Sequence, residues 1–195
     1  MCAAEKADAN VPQAFQPANE DSAQPEKAEV HQLTRRFRFI LLFFIAALVA
    51  SGLTAIPLRW ELDVLASLFG IDPQTDPATL TGLSHWIATV RNGLDATYGS
   101  YPFMAYGTDW LAFAHVIIAV FFLGPLIKPG SNDWVLVAGM IACVLVIPFA
   151  LLMGGLRGIP VGWRWIDCSF GFFGFFPLLY CWFLGRRISR MSPGA

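Results

Sequence analysis

Apolar residues in this chain gather into four long runs, separated by stretches where polar residues return. The runs cover about residues 37–58, 109–127, 134–154 and 165–185. About 20 apolar residues in helical conformation cross the roughly 30 Å hydrocarbon layer, so each run is long enough to span a membrane. Only about five residues join the second run to the third, which makes those two spans antiparallel neighbours. The pattern predicts an all-α fold, an integral membrane four-helix bundle.

Between the first two runs lies a longer, more polar outer segment, residues 59–108. Trp60, Val64, Leu65 and Leu68 follow a helical period there, and Gly70 and Pro73 close that piece. Leu83, Trp86, Ile87, Val90 and Leu94 repeat the pattern between Pro77 and Gly99. Both pieces are too short and too polar to span, so they are expected to be amphipathic helices lying on or capping the membrane face. His85, inside the second piece, is expected to be interfacial rather than a ligand. Residues 1–34 show no periodicity and are rich in Ala, Gln, Pro and Glu, which predicts a disordered tail. The four-span domain then occupies 35–190, and 191–195 form a short C-terminal tail.

Composition supports this picture. Of the 195 residues 56% are hydrophobic and 14% charged, with 17 Phe and 7 Trp; the mean hydropathy is +0.55. A net charge of −1 leaves no basic face for phosphates and argues against a nucleic-acid partner. Arg35, Arg36, Arg38, Lys128, Arg186, Arg187 and Arg190 fall on one side of the predicted spans. Arg59, Arg91, Arg157 and Arg164 fall on the other. Positively charged flanks stay inside, so both termini are expected to be cytoplasmic.

Faces within each span follow from the 100° advance per residue. In the fourth span Arg164, Asp167, Gly171, Gly174, Leu178 and Gly185 share one side, opposite Phe172, Phe173, Phe176, Tyr180 and Phe183. Small residues let helices approach, so the first set is the packing side and the phenylalanines suit lipid. The second span divides into Ala105, Ala112 and Ala119 against Trp110, Phe113, Ile117 and Phe121. Ala47, Ala50, Ser51 and Thr54 are the expected packing stripe of the first span, and Gly139, Ala142, Cys143, Val146 and Ala150 that of the third.

Ionisable groups inside a span are costly and draw attention as functional candidates. They are Asp109 and His115 in the second span and, around the last loop, Arg157, Arg164 and Asp167. On one reading they form an outer polar cluster that receives a charged headgroup, with His115 relaying a proton beneath it. At about 1.5 Å per residue, His115, Pro148 and Gly171 share a layer roughly 9 Å below the outer boundary. On the other reading the acids complement helix N-termini, pair with the arginines, and His115 bonds a carbonyl across the bundle.

No cofactor is identified. A bis-histidine haem lacks a second histidine in the spans, and Met140 and Met153 read as packing residues. Cys2, Cys143, Cys168 and Cys181 show no metal-ligand spacing. No G-x-S-x-G, H-E-x-x-H or P-loop is present, and Cys168 or Ser169 beside Asp167 has no histidine at a defined spacing.

The segments YPFMAYGTDWLAFAH and RGIPVGWRWIDCSFG, in the last half of the chain, resemble a family of uncharacterised bacterial inner-membrane proteins of four spans. The resemblance implies a bacterial cytoplasmic membrane and transfers no activity. The functional expectation is an accessory or interaction protein, with membrane lipids, other subunits or further copies of itself as partners. A lipid-like or quinone-like ligand would sit between helices on the outer side. The rival expectation is a membrane enzyme or small transporter using Asp109, His115, Arg157, Arg164 and Asp167.

Overall fold

The computed structural model describes residues 20–191, which are almost entirely helical and contain no strand. Helix α1 spans Glu20–Leu53, α2 Leu58–Leu68, α3 Gly82–Ser100, α4 Tyr106–Phe121, α5 Leu123–Ile127, α6 Asp133–Leu156 and α7 Val161–Met191. Four stretches are long and apolar enough to cross a membrane: Glu26–Leu53, Pro102–Ile127, Asp133–Leu156 and Val161–Met191. The protein is thus a multi-pass, all-α membrane bundle.

Three expectations change. The first helix begins at Glu20, not near residue 35, so the expected disordered tail is helical from residue 20 onward; residues 1–19 lie outside the described residues. The reason is tertiary. Leu33, Phe37, Leu41 and Ile45 recur every four residues and are all buried, so the packing stripe starts before the apolar run does. Glu29 of the same extension pairs with Arg187 of α7.

The small-residue stripe on α1 is also misassigned: Ala47, Ala50, Ser51 and Thr54 are exposed. Large side chains fill the seams of α1, and close approach is confined to Gly52. Finally, the second span is broken. Pro125 has no N–H and its ring would meet the Phe121 carbonyl, so α4 ends there. The Phe122 N–H turns to the Ala119 carbonyl in a tighter bond, and α5 follows.

Helix α1 packs on α4 to one side and α7 to the other, and α6 packs along α7 and meets the α4–α5 junction at Gly139. The arginines of α1 gather with those of α7. Arg38 donates to the Ile127 carbonyl at 3.2 Å, and Ser189 Oγ donates to the Gly130 carbonyl at 3.0 Å. These contacts place Arg38, Lys128, Arg186, Arg187 and Arg190 at one end, hereafter the basic end.

The contiguous core lies in the half of the bundle nearest that end. Phe37, Leu41, Ala119, Phe122, Leu136, Leu178, Cys181 and Leu184 bury one another there. Phe44 meets Phe122 edge-on at 5.0 Å, and Phe122 and Leu178 both close over Gly139. Farther out, the close contacts run within two pairs. In α1/α4, Gly52 meets Ala112 and His115. In α6/α7, Gly171 meets Cys143 and Val146, and the Cys168 thiol reaches the Ile147 carbonyl at 3.8 Å.

The outer segment forms an α2–α3 hairpin with its own small core of Ala66, Ile71, Ile87 and Ala88. Arg91 Nε donates to Asp63 Oδ1 at 2.5 Å, and Arg59 Nε lies 2.5 Å from Asp95 Oδ1 without hydrogen-bond alignment. Trp60, Val64 and Leu68, each one turn from the next, are left exposed on α2. Because the Arg91 side chain is only 11% exposed, its pair with Asp63 is expected to contribute about 1 kcal/mol, at the upper end for surface pairs. A double-mutant cycle with Asp63→Asn and Arg91→Met, read by limited proteolysis of the 70–81 connection, measures it.

Candidate functional site

The five ionisable candidates do not assemble. Among the described residues, no ion pair or hydrogen bond joins any two of Asp109, His115, Arg157, Arg164 and Asp167. Asp109 and His115 stand on α4, which packs along α1 and has no extended packing with α7. The expected outer polar cluster is therefore not formed, because α1 stands between α4 and α7.

Asp109 lies in the first turn of α4 and is exposed. An acid there faces the unsatisfied N–H groups of the helix start, a favourable placement that needs no partner. This agrees with the helix-end reading of the residue, although the expected pairing with Arg157 or Arg164 is not made.

His115 is half-buried on the α1 side. Its Nδ1 lies 2.8 Å from the Leu111 carbonyl, one turn back in the same helix, so Nδ1–H donates to it. The hydrogen bond expected across the bundle is instead local. What crosses the seam is a steric contact: a Cβ placed on Gly52 would lie 2.3 Å from His115 Cβ and 3.2 Å from the Ala112 carbonyl. Here the two helices approach as closely as a glycine permits. His115 consequently lies in the α1/α4 seam and Gly171 in the α6/α7 seam, while Pro148 is exposed, and the three form no common polar layer.

Arg157, Arg164 and Asp167 do share one neighbourhood, the turn from α6 to α7. Arg157 caps the C-terminus of α6 and is exposed. Arg164 Nε donates to the Ile159 carbonyl at 2.7 Å. Its stem lies over Gly154, whose added Cβ would be 2.8 Å from Arg164 Cγ, and its guanidinium reaches past Gly155. The arginine therefore ties the loop to both helices, in the manner of a C-terminal clamp on exposed carbonyls. Asp167 follows one turn later on α7, half-buried. His85 Nδ1 bonds the Pro77 carbonyl at 2.7 Å and so secures the short turn before α3.

Among the described residues no three of His, Cys, Asp and Glu are grouped to hold a metal, and Cys143, Cys168 and Cys181 are free thiols. Cys2 lies outside the described residues. Two residues were overlooked in the sequence. Gly52 is the neighbour of His115, hidden because a lone glycine does not repeat. Trp182 carries Arg186 on its ring face, with Arg186 Cζ 4.8 Å from the ring centre; the four-residue spacing could have revealed it.

No protein-family model matches the chain, and no curated protein or solved structure shows significant similarity to it.

Proposed function

We propose that this chain is an accessory protein of the bacterial cytoplasmic membrane, with both termini inside, that holds a lipid-like or quinone-like molecule on its outer side. The observation that carries this reading is the confinement of the contiguous core to the basic half. Beyond it the helices continue as two pairs, α1/α4 and α6/α7, each closed by its own glycine. In lipid an apolar gap between helices offers no hydrophobic penalty to an apolar guest, and van der Waals contact decides occupancy. The basic end supplies the orientation, because arginine-rich flanks are retained on the cytoplasmic side.

The separation of Asp109 and His115 from the group Arg157, Arg164 and Asp167 favours an accessory role over the rival enzyme or transporter. A proton relay or an anion site needs its groups within hydrogen-bond reach.

Mild extraction from native membrane, followed by mass spectrometry of co-purifying proteins, lipids and small molecules, tests the proposal. One apolar molecule or partner subunit is expected at near-stoichiometric yield; bulk lipid alone would overturn it. The combined variant Asp109→Asn, His115→Ala, Asp167→Asn is expected to keep that companion. Loss of cellular function at unchanged abundance would favour the rival.

A further inference from the structure

Helices α6 and α7 enclose a second feature, in the half of the bundle opposite the proposed outer gap. A groove of about 410 Å³ runs along their outward-facing side, lined by Val137, Ile141, Leu145, Phe175, Leu179 and Trp182. Its wall is almost wholly apolar. From Val137 to Leu145 it follows about 12 Å of helix, most of the roughly 15 Å that one leaflet contributes to the hydrocarbon layer. Its basic end is marked by Trp182, and over that ring lies the guanidinium of Arg186.

We infer that this groove holds an acyl chain of an anionic phospholipid in the leaflet at the basic end, with the headgroup phosphate on Arg186. Three features fit this occupant together. The groove has the polarity and length of a lipid tail. Trp182 is a residue type that belongs at headgroup depth, with its ring partly in hydrocarbon. Arg186 is exposed and its ring contact orients it, so its planar fork is available for bidentate contact with phosphate.

Among the cations at this end, Arg186 is the one seated on the Trp182 ring, with Arg190 one turn beyond it. Arg187 is engaged by Glu29, and Arg38 by the Ile127 carbonyl. Asp133 lies close enough to feel the charge of Arg186 but makes no salt bridge with it, and its Oδ1 is buried near Gly185. A zwitterionic lipid would satisfy the groove and gain less from the cation. A second copy of the chain would satisfy the groove and leave Arg186 without an anion.

Native mass spectrometry of the full chain, released from vesicles of equal phosphatidylglycerol and phosphatidylcholine, tests the inference. Wild-type protein is expected to retain phosphatidylglycerol about fivefold over phosphatidylcholine, the preference that one arginine near the surface supplies. Arg186→Gln should bring the ratio to parity, whereas Arg186→Lys keeps most of it. Ile141→Trp, which fills the groove from an exposed position, should lower retention of both lipids. Three results would overturn the inference: a preference unchanged in Arg186→Gln, lipid retention unchanged in Ile141→Trp, or a lipid-free dimer that Ile141→Trp disrupts. None of them bears on the outer-side ligand, which is read from extraction of the native membrane.

Discussion

Gly171→Ala is expected to lower the stability of the detergent-solubilised protein by about 3 kcal/mol, toward the upper end for overpacking a tight interface. For a chain of this size that corresponds to a fall in Tm of roughly 6–12 °C. A methyl group at this position would lie 2.3 Å from the Cys143 carbonyl oxygen and 2.8 Å from Val146 Cγ1. The first neighbour is backbone in the middle of α6 and cannot rotate aside, so α6 and α7 must separate. Separation costs more here than the lost contact, because packing is what holds helices together in lipid. The same substitution at Gly162, on the same helix, meets nothing within 4 Å. Gly162→Ala should therefore be neutral or stabilising by up to about 1 kcal/mol through helix propensity. Thermal unfolding of the two variants side by side distinguishes seam closure from a general intolerance of α7. Equal Tm values would show that the α6–α7 approach is looser than its geometry.

Gly171 also shows what could be read from the residues alone. Its place on the packing face of the fourth span followed from the 100° rule, and so did the exposure of Phe172, Phe173 and Phe176 on the other side. The four runs and the amphipathic outer helices were legible for the same reason: period and length are local properties of the chain. Which seams those faces form was not. Small residues mark the packing sides of α4 and α7, and each of these helices packs on α1, whose large Phe37, Leu41 and Ile45 do the filling. Face assignment names the side that packs, and the partner depends on the order of helices around the bundle. The break at Phe122 was legible in principle, since Pro125 forces it. The ionisable candidates suffered most. Depth counting put Asp109 beside the 157–167 turn in height, but height says nothing about azimuth.

His115 is the residue for which this distinction has the largest consequence, and a cycle with Gly52 resolves it. Gly52→Ala is expected to destabilise the α1–α4 seam by about 2 kcal/mol, since its Cβ would fall 2.3 Å from His115 Cβ and 2.9 Å from Cγ. His115→Ala alone should cost less, about 0.6 kcal/mol and at most about 1.7 kcal/mol, the range for hydrogen bonds within membrane bundles. The bond it removes, to the Leu111 carbonyl, lies within one helix and leaves the seam untouched. In combination the two variants part company. His115→Ala keeps the Cβ that Gly52→Ala strikes, so the pair should remain as destabilised as the sum of the two. His115→Gly removes that Cβ and should relieve the clash, giving a favourable coupling of about 1 kcal/mol or more, even though glycine itself costs about 1 kcal/mol in a helix. Relief by His115→Ala to the same extent would mean that the imidazole, not the backbone approach, sets the spacing. A retained fold in His115→Ala then gives the protein in which the outer-side companion can be sought without the imidazole. If that companion is lost while the seam is intact, the imidazole has a role beyond its bond to the Leu111 carbonyl.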